Sequence, residues 1–309
     1  MNPSRWNPPF WVGDREFSAE DLGTIRNIVY RCRRLSREEI AATICENLSW
    51  KAPNGHLKVM ACREMLKGME SAGLIELPPA KGSRRHVIRD TEARPVSVVS
   101  VSGSLAALRP VTLDPVTDQE RRMWNATMAA YHPLGYRRPI GAHQRYWIRG
   151  RREDGRVILG CLLFGAAAKA VADRDSWIGW SAAERSRFRW RIVNNNRFLI
   201  LPGVRIPHLA SHVLGLAARQ VPKDWERRYG YRPVLMETFV EEPWEGTCYL
   251  AANWLRLGET AGRGRQDRYR EAALPVKSIW AYPLDKRWKK RLVEPAPQAA
   301  NEDGAEDDF

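Results

Sequence analysis

The chain has 309 residues, 44% hydrophobic and 28% charged, which suits a globular protein with two domains and at least one sizeable core. No apolar run reaches the length of a membrane-spanning helix, and the start MNPSRWNPPFW lacks the apolar core of a secretory signal, so no membrane partner and a cytoplasmic location are expected. A formal net charge of +14 makes a polyanion, most simply DNA as duplex or single strand, the expected partner. The five cysteines (Cys32, Cys45, Cys62, Cys161, Cys248) show no CxxC spacing and read as buried thiols in a reducing compartment.

Residues 1–17 are rich in Pro and Trp and read as an irregular arm. Ser18 caps a first helix with Leu22, Ile25, Ile28 and Val29 on its buried face. Ser36 and Glu39 form a capping box opening a second helix that buries Ile40, Ala41, Ile44 and Leu48. A third helix, about His56 to Ser71, buries Leu57, Met60, Ala61, Met65 and Met69 and stops at Gly73. Leu74–Leu77 reads as a strand ended by Pro78-Pro79. Three helices, a strand and a basic turn give residues 18–88 the pattern of a winged helix-turn-helix. In that pattern Lys58, Arg63 and Lys67 on the third helix face the major groove, while Lys81, Arg84 and Arg85 form a phosphate-contacting wing.

Residues 89–117 read as a linker with a short strand at Val96–Val101, and residues 118–292 as an α/β domain. Gln119–Tyr131 is predicted helical. Arg145–Ile148 and Val157–Leu163 form a hairpin across an acidic-glycine turn. Gly165–Ala172 is predicted as a short helix, Asp173–Trp180 as a loop, and Ser181 with Glu184 caps a helix running through Ile192. Phe198–Leu201 is a strand, Leu209–Gln220 a helix, Pro233–Val240 a strand holding the carboxylate Glu237, and Val276–Tyr282 a last strand. Residues 293–309 end in the acidic tail NEDGAEDDF.

Several groups carry candidate chemistry. Glu237 inside an apolar strand requires a partner or a function. With Asp175 it is the carboxylate pair that could hold Mg2+ or Mn2+ for strand cleavage, although pairing of Glu237 with a buried arginine is an equal alternative. Tyr249 could attack phosphorus, and His132 is a candidate base. Phosphate contacts are expected from Arg187 and Arg191 on one helical face, from Arg205 and His208, from the glycine-rich Arg263 and Arg265, and from Lys289 and Lys290. There is no GxxxxGK[ST], HExxH, GxSxG or spaced Cys/His zinc set, so a P-loop NTPase and the common zinc enzymes are excluded.

The runs Tyr131-His132-Pro133-Leu134-Gly135-Tyr136, Arg174-Asp175, Trp177-Ile178-Gly179, Asn196–Pro202, Leu209-Ala210-Ser211-His212, Asp224-Trp225, Glu237–Val240 and Gly246–Tyr249 through Asn253-Trp254 together resemble the DruA family of the Druantia anti-phage system. The resemblance spans about residues 18–292 and implies a defence or mobile-element setting, with other defence or transposition proteins as partners. The order of elements over 119–282 also resembles a GNAT-type N-acetyltransferase. That resemblance implies a mixed-sheet fold in which a loop of Arg/Gln-x-x-Gly-x-Gly/Ala type cradles the pyrophosphate of acetyl-CoA. Here the loop reads Arg205-Ile206-Pro207-His208-Leu209-Ala210. Pro207 removes a backbone donor and His208 replaces a glycine, so acetyl-CoA is not the expected cofactor. The fold expected is α/β (α+β): a winged helix-turn-helix followed by a GNAT-like mixed-sheet domain. The function expected is DNA binding with nicking or transfer of a strand. A noncatalytic sensor that recruits defence partners and an acyltransferase stay open as alternatives.

Overall fold

The computed structural model describes residues 3–52, 56–79, 93–153, 155–262 and 275–294. The N-terminal arm is ordered rather than irregular. β1 (Phe10–Val12) and β2 (Arg15–Phe17) form an antiparallel hairpin, and Phe10 stacks on Phe17 at 5.2 Å between ring centroids. Three helices follow: α1 (Ala19–Arg31), α2 (Arg37–Asn47) and α3 (Val59–Ser71). Ser18 and Ser36 both make the reciprocal capping boxes, with Asp21 and Glu39 at the third helical positions. On α3 the buried face is Cys62, Met65, Leu66 and Met69, whereas Met60, expected inside, is 66% exposed. Leu74–Leu77 forms no strand. Its backbone is drawn along α2 and α3 instead, because Glu70 accepts from the Leu77 N–H and pairs with Arg37 at 2.8 Å. The expected wing, Lys81, Arg84 and Arg85, lies outside the described residues, as do Arg263, Arg265 and the acidic tail.

The second half is a mixed α/β domain. In chain order it runs β3 (Val101–Ser102), β4 (Thr112–Pro115), α4 (Arg121–Tyr131), β5 (His143–Arg152) and β6 (Gly155–Ala166). Then come α5 (Ala172–Ile178), α6 (Ala182–Phe188), β7 (Ile192–Ile200), β8 (Val204–Arg205) and α7 (Leu209–Tyr229). β9 (Leu235–Glu241), α8 (Thr247–Ala251), β10 (Leu255–Glu259), β11 (Lys277–Pro283) and α9 (Trp288–Val293) complete it. Seven strands form one sheet in the order β10-β11-β9-β7-β6-β5-β4. Every neighbouring pair is antiparallel except β7 and β9, whose crossover is α7. The sheet therefore begins at Thr112, inside the expected linker.

Five local expectations change. The Ser181–Glu184 box caps α6, but the helix ends at Phe188, a 3-10 turn follows over Arg189–Arg191, and Ile192 already opens β7. β7 starts six residues before the apolar run, and the central asparagine of that added stretch is satisfied inside the sheet: Asn195 Nδ2 donates to the carbonyls of Leu163 at 3.3 Å and Arg197 at 3.2 Å. The helix expected at Gly165–Ala172 is sheet up to Ala166, and the loop expected at Asp173–Trp180 is α5, closed by left-handed Gly179. α7 continues past Gln220 through Pro222, because Val221, Trp225 and Tyr229 bury its second half.

The two halves share one continuous hydrophobic core. Arg31 lies 3.5 Å over the Trp190 ring, Arg189 donates to Asn47 Oδ1 at 2.7 Å, and Arg34 donates to the carbonyl of Arg227. Gly160 marks where the sheet is tightest. A Cβ there would fall on the carbonyl oxygen of Leu199 and 3.0 Å from Ile148 Cδ1. Gly160→Ala therefore lowers the unfolding free energy by about 1–3 kcal/mol in chemical denaturation.

Candidate nucleic-acid interface

Glu237 and Arg174 are both fully buried and pair at 2.6 Å. Glu237 Oε1 also accepts from the Ala168 N–H at 2.7 Å. Arg174 continues to Asp175 Oδ1 through Nη2 at 2.7 Å and Nε at 2.9 Å. Asp175 further accepts from Trp180 Nε1 at 3.1 Å, the Val171 N–H at 3.1 Å and Arg185 at 3.2 Å. Burial opposes the Arg174 charge, but Glu237 and Asp175 outweigh it and hold the guanidinium above its ordinary pKa. The two carboxylates do come together, yet across a guanidinium that occupies the space between them. Their oxygens are committed to N–H donors, so the pair does not fit Mg2+ or Mn2+, and no step is derived through a metal. Among the described residues no group of three or more His, Cys, Asp or Glu side chains is arranged to hold one.

Tyr249 lies on the opposite face of the sheet. Side chains alternate along β9, so Leu235 and Glu237 share the face of Ile192 and Ala281, while Met236 packs with Tyr249 and Trp280 on the other. The Tyr249 hydroxyl donates to Asn195 Oδ1 at 2.8 Å, and burial raises its pKa far above the ordinary phenol value. Neither feature makes a nucleophile. His132 Nδ1 accepts from the Leu134 N–H at 3.1 Å. Burial and the nearby Arg197 lower its pKa to about 4, which keeps it neutral. These groups form no common site with Glu237.

The acetyl-CoA expectation can be tested on the β7–α7 loop. His208 sits in the left-handed region at φ 64° as the N-cap of α7, and the Leu209 N–H already donates to Ile206 O at 3.3 Å. The outer side of the loop is paired in parallel with β3, and Val99 O lies 2.6 Å from where a Gly203 Cβ would stand. With Pro207 lacking a donor, the loop does not fit a pyrophosphate cradle, and no acyl-transfer step is derived.

The expected phosphate-contacting residues separate into groups. Arg63 and Lys67 are exposed one turn apart on α3, but Lys58 is engaged by Asp14 at 2.6 Å. Arg205 and His208 are exposed beside the N-terminus of α7. Lys289 donates to the Trp177 carbonyl at 3.2 Å, and Lys290 is exposed on α9. Arg187 and Arg191 do not share a helical face, because the helix stops between them. Arg187 is exposed over Phe188, whereas Arg191 turns into a groove.

That groove, about 590 Å³, is walled by the second half of α7, the segment leading into β9, the turn after β11, and α9. Arg191, Arg219, Lys223, Arg232 and Arg291 line it against the two carboxylates Asp285 and Glu294. Arg219 and Lys223 are exposed one turn apart, a spacing that follows the wall of the groove. Arg291 pairs with Asp285 at 3.0 Å, and Arg232 with Glu226 at 3.1 Å, with both partners of the latter about half exposed. Such surface pairs are weak and exchange readily for phosphate. Arg219, Lys223 and Arg232 were not singled out in the sequence. The signal was present in the i, i+4 spacing, but Pro222 hid it by ending the expected helix too early.

Known structures resemble the chain only distantly. A spermidine N-acetyltransferase from Vibrio cholerae, bound to CoA and spermine, is 10% identical over 56% of this chain and 95% of its own, with a TM-score of 0.36. A nourseothricin acetyltransferase is 10% identical over 57% of this chain and 99% of its own, at 0.33. A domain from Methanocaldococcus jannaschii is 12% identical over 56% and 97%, at 0.31. At these scores nothing is carried over from them. A search of curated proteins finds no match. The family described as Druantia protein DruA, in contrast, matches residues 86–292, which is most of the chain and the whole of the large sheet. The chain therefore belongs to the DruA family.

Proposed function

We propose that this DruA-family protein is a nucleic-acid-binding component of an anti-phage system that grips DNA without cutting it and recruits other defence proteins. The observation that carries the reading is the groove between α7 and α9, where five cationic side chains face two carboxylates on a chain of net charge +14. A phosphate backbone supplies the complementary charge, and the mix of Arg and Lys suits contacts that read charge rather than base sequence. Arg63 and Lys67 on α3 offer a second cationic surface, which a winged-helix role for the N-terminal half would use. Binding without cleavage is favoured because Glu237 and Asp175 are consumed by Arg174.

Fluorescence anisotropy with labelled duplex and single-stranded DNA across a salt series tests the reading. Affinity falls steeply and linearly on a log–log scale if phosphates are neutralised, and a flat salt dependence would sink the proposal. Supercoiled plasmid incubated with Mg2+ or Mn2+ stays supercoiled. Nicking lost in Glu237→Gln or Tyr249→Phe would instead restore the strand-cleaving alternative.

A further inference from the structure

A second cavity, about 390 Å³, lies where the N-terminal helices meet the sheet domain. Glu39 of α2 lines one side, and Asn125, His143, Arg145 and Arg228 line the other. Arg121 and Arg138 stand at its rim. The volume falls within the range of small-molecule sites. Four guanidinium groups face two carboxylates, and both carboxylates are already engaged. Asp118 pairs with Arg121 at 3.1 Å, and Glu39 accepts from Ser36 Oγ at 2.8 Å.

Among the described residues, three polar atoms at this cavity have no hydrogen-bond partner. Arg145 Nε and Asn125 Oδ1 are enclosed and make no hydrogen bond, although Arg145 Nη2 donates to Tyr136 at 2.8 Å. His143 is 5% exposed, and its Nδ1 lies 2.8 Å from Gly141 O. A carbonyl only accepts, so Nδ1 carries the proton and Nε2 the lone pair. Among the described residues the hydrogen bonds of His143 run to Gly141 and Tyr229 and none reaches Nε2. Burial, then Arg145, lowers the His143 pKa to about 4, so the ring stays neutral and Nε2 stays an acceptor. An enclosed polar atom without a protein partner calls for a water or a ligand to satisfy it. Here cationic donors of the cavity lining stand together with two acceptors, His143 Nε2 and Asn125 Oδ1.

We infer that this cavity binds a nucleoside monophosphate. Its phosphate meets Arg145 and Arg228, and hydroxyl or amino donors of the nucleoside reach His143 Nε2 and Asn125 Oδ1. Bare phosphate meets only the guanidinium groups and leaves the two acceptors unused. Because Glu39 lies on α2, the bound molecule touches both halves of the chain. The site is separate from the α7–α9 groove and does not rest on DNA binding there.

The test is calorimetric titration of the full-length protein with adenosine 5′-monophosphate and, separately, with inorganic phosphate. Saturable binding of both, tighter for the nucleotide, is expected. Arg145→Gln and Arg228→Gln each weaken both probes by about tenfold or more, as loss of a charge-assisted hydrogen bond does. His143→Asn keeps a donor for Gly141 O but removes Nε2, so it weakens the nucleotide and leaves phosphate unchanged. Lys223→Glu, in the groove, leaves nucleotide binding unchanged. Arg228 is exposed, so its variant folds even where Arg145→Gln does not. Absence of saturable nucleotide binding overturns the inference. So does nucleotide binding that Arg228→Gln leaves intact, or that Lys223→Glu abolishes.

Discussion

Replacing Arg174 with alanine is expected to cost about 3–5 kcal/mol, because it leaves Glu237 charged, fully buried and without its counter-ion. At roughly 2–4 °C per kcal/mol for domains of comparable size, the thermal midpoint falls on the order of 10 °C. The loss extends beyond one pair. Arg174 also donates to the Ala168 carbonyl at 3.0 Å and joins Asp175, so the α5 end of the network loosens with the β9 end. Glu237→Gln costs less, since the amide oxygen still accepts from Ala168 and Arg174 keeps Asp175. Circular dichroism melts of the two variants read this ordering. A metal-dependent catalytic role for Glu237 makes the opposite demand, with activity lost at unchanged stability. If Arg174→Ala melts with the wild type, the ion-pair core is not structural.

Reversing charge at the groove is the second large effect. Arg219→Glu combined with Lys223→Glu is expected to weaken DNA binding by well over about tenfold, and to reduce the salt slope by about two if each side chain contacts one phosphate. Both residues are exposed on α7, so stability changes by no more than about 0.5 kcal/mol each. The pair Arg63→Glu and Lys67→Glu on α3 is the internal comparison. If only that pair removes binding, the N-terminal helices grip DNA and the groove does not. If both pairs weaken it, the duplex spans the two surfaces.

Local signals in the sequence were read accurately where one residue acts on its own backbone. Ser18, Ser36 and Ser181 cap helices because a hydroxyl and a carboxylate three residues later satisfy donors within the same turn. The hairpin of β5 and β6 and the last strand were legible from apolar runs bounded by turn residues. The α5 region was inverted because its Asp175 accepts from Trp180 and Arg185 beyond the helix end, bonds that apolar periodicity does not display. The strand expected from Phe198 begins at Ile192 in the fold, where Asn195 bonds to Leu163 and Tyr249, partners distant in sequence.

For the sites, the sequence by itself determined that Glu237 must be paired or functional, that the loop at Pro207 and His208 is poor in backbone donors, and that the chain carries a large positive excess. These follow from residue type alone: a carboxylate in an apolar strand is costly, proline has no N–H, and charge adds. Only the tertiary structure decided the rest. It chose Arg174 as the partner of Glu237 from a helix 63 residues away and put Tyr249 on the other face of the sheet. It gathered Arg191, Arg219, Lys223, Arg232 and Arg291 from four separate segments into one groove. Charge pairing and electrostatic focusing depend on distance in space, and the crossover between two parallel strands sets those distances independently of spacing along the chain.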